Sequence, residues 1–138
     1  MAQRYTPSKL GLLVDDDNTV GLYPAAAADP LSALEMNTIV VAAEFQTGLA
    51  NCVVKPWVNI RSKDAAGDTI DNWVPLAPVT LTAVADTGSQ PPPVTALRFR
   101  APPTEIAIPN CHGARLELIS VSTGNVTLWA ATANRSPR

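Results

Sequence analysis

The sequence contains few of the residues from which catalytic and nucleic-acid-binding sites are usually built. Its 138 residues include one histidine, two cysteines and seven aromatic residues, and only 16% of them are charged. A formal charge of −2 excludes a general electrostatic attraction to nucleic acid or anionic membranes. No run approaches the roughly 20 apolar residues of a membrane span, and the N-terminus lacks the apolar region of a secretory signal. We expect a protein made in the cytoplasm, with neither nucleic-acid nor membrane partners.

Motifs that carry chemistry are also missing. The sequence has no phosphate-binding glycine loop, no Gly-x-Ser-x-Gly nucleophile motif, no nucleotide fingerprint and no carboxylate pair marked for glycoside hydrolysis. The acidic groups Asp15–Asp17 and Asp64, Asp68 and Asp71 could hold calcium, but neither group matches an EF-hand loop. Acidic turns are also common for solubility and for local hydrogen bonding. We therefore expect no enzymatic activity, no cofactor and no metal.

The cysteines and the single histidine do not predict a metal or nucleophile site. His112 stands beside Cys111, while Cys52 is far away in the chain, and this spacing does not match a structural zinc motif. In a reducing compartment both cysteines are expected to be small, buried hydrophobic residues. A disulfide between them is the less favoured alternative.

The residues that are present favour β-structure. Apolar residues make up 46% of the chain, and 13 prolines accompany few strong helix formers other than alanine. The length suits one domain with one core. About eight short alternating runs, separated by turn signals and without a helical crossover, predict an all-β fold: an antiparallel two-sheet β-sandwich or jelly roll. The runs begin after Asn37 and are Ile39–Phe45, Cys52–Ser62, Thr69–Leu76, Val79–Ala85, Val94–Arg100, Thr104–Pro109 and the two halves of Ala114–Ala133.

Two pairs of these runs look like β-hairpins. In Ala114–Ala133 two alternating apolar runs are joined by a Ser-Thr-Gly-Asn turn, which predicts a closing hairpin. Cys52–Ser62 and Thr69–Leu76 are joined by the loop Lys63–Asp68, which predicts a hairpin with a longer connection.

The first 36 residues differ from the rest. We expect residues 1–36 to form an extended N-terminal arm and residues 37–138 to form the sandwich domain. Asp29–Met36 suits a short helical turn, with Asp29 as its N-cap and Pro30 at the first helical position. Apolar residues of the arm must pack either on its own sandwich or on a neighbouring subunit, and the sequence leaves both arrangements open.

Two tryptophans are candidates for a binding surface. Trp57 shares its predicted strand face with Lys55, Asn59 and Arg61, and Trp129 shares its face with Thr127. Either ring could be exposed to a sugar or a protein, or could instead cover the core. A further set of charged residues is expected on outward faces, where it could form a salt-bridge ladder either within the sheet or across a subunit boundary: Arg98, Arg100, Glu105, Arg115 and Glu117.

The arm MAQRYTPSKLGLLVDDDNTVGLYP and the terminal stretch RLELISVSTGNVTLWAATA, in a low-charge chain rich in Ala, Thr, Val and Pro, resemble small virion components of tailed bacteriophages. The resemblance is closest to capsid decoration (cement) proteins and other β-rich head or neck proteins. It implies a non-enzymatic virion protein that forms a homo-oligomer, a trimer or many copies, and contacts other virion proteins such as the major capsid protein. The alternatives are a carbohydrate- or receptor-binding β-sandwich and a neck or tail adaptor.

This interpretation implies partner contacts through the arm, the loop Asp86–Pro93 and outward-facing side chains. The candidate contact residues are Tyr5, Leu10, Leu12, Leu13, Tyr23, Trp57, Arg61, Arg98, Arg100 and Trp129.

Overall fold

The computed structural model describes residues 11–25, 30–46, 48–86 and 98–135, and these residues form thirteen β-strands and no helix. In chain order the strands are β1 (Gly11–Asp17), β2 (Gly21–Tyr23), β3 (Leu31–Ser32), β4 (Thr38–Phe45), β5 (Asn51–Asn59), β6 (Ser62–Lys63), β7 (Thr69–Ile70), β8 (Trp73–Pro75), β9 (Val79–Thr82), β10 (Val84–Asp86), β11 (Arg98–Ala107), β12 (Gly113–Val121) and β13 (Val126–Ala133).

The strands form two main antiparallel sheets. The front sheet has the order β1-β13-β4-β11-β10. The back sheet has the order β2-β12-β5-β8, with β3 also paired to β12 and β9 to β5. A separate two-stranded ribbon is formed by β6 and β7. The predicted all-β, antiparallel architecture is therefore confirmed, although the predicted count of about eight strands was too low because most strands of the predicted arm and several short strands were missed. The two strands predicted to end at Arg100 and to begin at Thr104 are one continuous strand, β11.

A single core lies between the two sheets. In β4 of the front sheet, Ile39, Val41, Ala43 and Phe45 are buried, as their alternation predicts. The back sheet contributes buried side chains from β5 and β12, namely Val54, Val58, Leu116 and Leu118. Because each long strand is apolar on its inner row, neither sheet is stable without the other.

The predicted closing hairpin is wrong. β12 pairs with β2, β3 and β5 in the back sheet, whereas β13 pairs with β1 and β4 in the front sheet. The turn between them, where Gly124 has φ of 67°, carries the chain from one sheet to the other. A sheet-crossing connection buries the same alternate residues as a hairpin does, so alternation alone cannot distinguish the two arrangements.

The other predicted hairpin is confirmed. β5 and β8 are antiparallel neighbours, with Trp57 opposite Pro75 and Asn59 opposite Trp73. The β6–β7 ribbon lies between them in the chain, and its turn is closed by the Asp64 carboxylate, which accepts hydrogen bonds from the main-chain N–H groups of Ala66 and Asp68.

The first 36 residues contribute to both sheets. β1 pairs with β13, while β2 and β3 pair with β12. Val14 and Ala33 are buried in the shared core, so this part of the predicted arm packs on its own sandwich in this structure. The predicted helical turn is wrong for residues 30–36: Leu31–Ser32 is a strand, followed by a turn closed by the Met36 N–H to the Ala33 carbonyl. Asp29 lies outside the described residues.

Truncation of one inner leucine tests the shared core. Leu116 is 1% exposed, so we expect Leu116→Ala to lower the free energy of unfolding by about 2–5 kcal/mol, because the cavity cannot close completely. Urea unfolding measures the change. Leu49 is 66% exposed, and the matched Leu49→Ala variant is expected to shift stability by no more than about 0.5 kcal/mol. Equal losses in the two variants would contradict the assigned core.

Candidate functional site: an aromatic pocket and an apolar row

The outer face of the back sheet carries a pocket built from three strands and the β2 edge. Trp57 of β5 stands opposite Arg115 of β12, and Trp73 of β8 stands opposite Asn59. Leu22 of β2 stands opposite Glu117. Leu22, Trp57, Trp73 and Arg115 line a pocket of about 150 Å³ that is open to solvent, hereafter the tryptophan pocket.

Arg115 forms a fixed wall of the tryptophan pocket. Its side chain is buried: Nε donates to the Pro24 carbonyl at 3.0 Å and Nη2 donates to the Ala25 carbonyl at 2.9 Å. The guanidinium carbon lies 5.8 Å from the centre of the Trp73 ring, within the range of a cation–π interaction. The planar guanidinium group therefore ties the chain after β2 to the back sheet and holds a positive charge against an aromatic face.

Trp57 is held in place by its polar edge. Its indole Nε1 donates to Glu117 Oε1 at 2.9 Å, and the Lys55 Nζ lies 5.9 Å from its ring centre. The indole N–H is therefore satisfied within the protein, which leaves the ring available mainly for apolar stacking. The predicted shared face of Trp57 and Lys55 is confirmed.

The outer face of the front sheet carries a second surface. Leu12 of β1, Trp129 of β13 and Ala42 of β4 are direct cross-strand neighbours. Leu12 is 54% exposed and Trp129 is half-buried. These three residues are hereafter the Trp129 row.

Charged pairs border the Trp129 row on both sides. On one side Arg100 Nε lies 3.7 Å from Glu44 Oε2, and on the other side Arg135 pairs with Glu105. An apolar centre with a charged rim is the usual layout of a protein contact surface.

The other predicted contact residues are dispersed. Leu13 and Tyr23 pack against the core, and the Tyr23 hydroxyl donates to the Thr19 carbonyl. Burial, with a smaller contribution from the nearby Asp17 charge, raises the pKa of Tyr23. Arg61 is exposed and lies 3.3 Å from Asp71 Oδ1. Tyr5, Leu10 and the Arg98 side chain lie outside the described residues, as does most of the loop Asp86–Pro93.

The described side chains of the predicted salt-bridge set contact groups outside that set. Arg115 is buried and bonds main-chain carbonyls, and Glu117 accepts from Trp57. Arg100 and Glu105 instead pair with residues outside the predicted set, Glu44 and Arg135. The outward position of Arg115 in β12 was correct, but the sequence did not show that the chain after β2 covers it.

Aspartates from both predicted acidic groups accept hydrogen bonds from nearby residues. The Asp17 carboxylate accepts from the Asn18 and Thr19 main-chain N–H groups and from the Thr19 hydroxyl, and the Asn18 bond is the main reason that the pKa of Asp17 is lowered. Asp71 accepts from Asn59 Nδ2. Within the described ranges, no group of three or more His, Cys, Asp or Glu side chains could hold a metal ion.

Both cysteines are free and buried, as expected from the sequence. Burial raises the pKa of Cys52 to about 12 and also raises that of Cys111. A thiol with a raised pKa is a poor nucleophile near neutral pH, because the thiolate is the reactive form.

No protein-family model, curated protein or solved structure matches the chain. Among the described residues there is no helix that is long and apolar enough to cross a membrane.

Sequence reasoning missed Trp73 as a site residue. Extending the register of the predicted β5–β8 hairpin would have placed Trp73 opposite Asn59, on the same face as Trp57. The contribution of Leu22 had no such signal, because β2 reaches the pocket through pairing between strands that are far apart in the chain.

Replacing the buried arginine tests the tryptophan pocket. Arg115→Lys retains the charge but removes the planar fork, so we expect the free energy of unfolding to fall by about 1–3 kcal/mol. Chemical denaturation gives the value. The matched control Arg61→Lys, at an exposed ion pair, is expected to change stability by at most about 0.5 kcal/mol. If Arg115→Lys lowers the free energy of unfolding no more than Arg61→Lys does, the two hydrogen bonds from Arg115 to main-chain carbonyls do not stabilise the pocket.

Burial of Cys52 predicts a dependence of stability on alkaline pH. The unfolded thiol ionises near its ordinary pKa of 9.0 and the folded thiol near 12, so the folded state holds the proton more tightly. This stabilising contribution is fully present below pH 9.0 and is lost as the pH rises towards 12. Across that pH window, the free energy of unfolding should fall less steeply with pH in Cys52→Ala than in the wild type. Parallel curves would show that Cys52 does not titrate as described.

Proposed function

We propose that this chain is a non-enzymatic structural protein of a bacteriophage virion, of the decoration or cement kind, that acts by contact with its neighbours. One observation carries the proposal: each outer face of the sandwich has an aromatic contact surface, the tryptophan pocket on one side and the Trp129 row on the other. A single copy can therefore hold two neighbours at once, which is what a repeating surface lattice requires.

The Trp129 row is the surface that we assign to the shell. Covering its apolar centre removes apolar surface from water, which lowers the free energy of the assembly. The flanking pairs Arg100–Glu44 and Arg135–Glu105 favour partners with complementary charge. Each contact of this size is weak, but many copies on a symmetric shell add their affinities. The expected partners are other copies of this chain, as a trimer or a larger array, and the major capsid protein.

A carbohydrate- or receptor-binding sandwich is the second candidate function. The tryptophan pocket favours it, because two indole rings beside a charged side chain can stack on a sugar ring. A neck or tail adaptor, which also acts by contact with its neighbours, is a variant of the first proposal.

Purified particles test the virion assignment. Particles from cells that make this protein are separated on a density gradient and probed with an antibody raised against the chain. We expect the chain to band with the capsids at many copies per particle. A chain that occurs only outside the particle band contradicts the proposal.

The contact surface is tested in the same assay with matched variants. Trp129→Ser removes the centre of the Trp129 row and is expected to lower the particle-bound fraction at least about tenfold, the effect of losing an aromatic anchor. Ile70→Ser makes the same kind of change at an exposed position on the β6–β7 ribbon and should leave attachment unchanged. Light scattering and circular dichroism confirm that both variants are folded. Equal attachment of the two variants would show that the Trp129 row is not the contact.

A further inference from the structure

The tryptophan pocket has the chemistry of a site for a proline ring. Two indole rings and the Leu22 side chain form apolar walls, and the pocket volume of about 150 Å³ suits one proline ring of a longer segment. Grooves lined by aromatic residues are the usual receptors for polyproline II segments, which bind at low entropic cost because they are already extended.

The chain itself carries such a segment. Residues 87–97, between β10 and β11, read Thr-Gly-Ser-Gln-Pro-Pro-Pro-Val-Thr-Ala-Leu. Three consecutive prolines, Pro91, Pro92 and Pro93, predict a polyproline II stretch in the middle of this segment. The segment has no basic residue, which suits a pocket walled by Arg115 with Lys55 beside it.

The segment is too short to reach the pocket of its own chain. Asp86 pairs with Arg98, so the segment leaves and re-enters the front sheet at the same end of β10 and β11. Eleven residues anchored in this way extend at most about 20 Å from that end, half of their stretched length.

The distance to the pocket exceeds that reach. β9 runs antiparallel to β5, with Thr82 opposite Asn51, and Trp57 lies six residues further along β5, about 20 Å away. β10 continues away from Trp57 and lies in the front sheet, whereas the pocket is on the outer face of the back sheet. The additional thickness of the sandwich, about 10 Å between sheets, puts the pocket beyond the prolines of the same copy.

We infer that the tryptophan pocket binds the Pro91–Pro93 segment of a second copy of this chain. Donor segment and acceptor pocket lie on different parts of the molecule, so copies either exchange segments within a closed assembly or continue as an open array. This inference rests on the proposed function, in which copies of the chain contact one another, and it names the segment that makes that contact.

A titration with the segment as a free peptide tests the inference. The peptide comprises residues 86–97, and the receptor is the full chain carrying Pro91→Ala, Pro92→Ala and Pro93→Ala, so that the segments of other receptor copies do not compete. The readout is the three tryptophan indole N–H signals in NMR. We expect the Trp57 and Trp73 signals to shift in a saturable way below about 1 mM, while the Trp129 signal stays fixed. A peptide with alanine at all three proline positions should give no shift.

Receptor variants connect the binding to the pocket. Trp73→Ala is expected to weaken peptide binding at least about tenfold, and Trp73→Phe, which keeps a ring and the fold, should retain most of it. Leu49→Ala, at an exposed position away from the pocket, is the matched control and should bind as the parent does. The inference is overturned if the peptide causes no shift, or if Trp73→Ala binds it unchanged. Shifts caused by monosaccharides but not by the peptide overturn it as well, and assign the pocket to carbohydrate.

Failure of the inference and failure of the proposed function give different results. If the triple proline-to-alanine chain associates in light scattering and attaches to particles as the wild type does, the proline contact is wrong and the virion assignment stands. If the peptide binds as expected but the chain is absent from particles, the contact between copies stands and the virion assignment is wrong.

Discussion

Every long strand buries alternate side chains in the single core between the two sheets. This burial determines which side chains are left on the outer faces. The front and back sheets each supply only half of this core, and β12 and β13, though consecutive in the chain, lie on opposite sides of it. Since the inner rows are filled mainly by Leu, Ile, Val and Ala, with Phe45 as an aromatic member, the three tryptophans and most charged side chains are left to the outer rows. The two candidate surfaces are consequences of that division.

On the outer face of the back sheet, the chain after β2 adds a partial third layer over Arg115. Arg115 occupies an outward position, yet it is only 8% exposed because the chain after β2 and the Trp73 ring cover it. Its bonds to two main-chain carbonyls compensate for the loss of hydration, which makes a buried guanidinium group tolerable. The same contacts give the tryptophan pocket a rigid wall.

Polar side chains elsewhere serve the structure of turns and strand ends. Asp64 closes the β6–β7 turn, Asp17 holds the chain after β1, and Asn59 is tied to the segment before β8 through Asp71 and Asn72. The residue types that could have suggested calcium binding are thus hydrogen-bond acceptors for nearby main-chain and side-chain groups. The two candidate surfaces are apolar and aromatic, a composition suited to recognition by shape and stacking.

The sequence by itself determined the all-β class, the inner row of β4, the β5–β8 hairpin, the burial of the cysteines and the outward position of Trp57, because each follows from alternation or turn residues within a short stretch. Tertiary structure decided that β12 and β13 are in different sheets, that β1–β3 complete both sheets, and that Arg115 is buried beside Trp73. These features depend on which distant strands pair. The inner row is apolar in every such pairing, so the local pattern carries no information that selects one of them.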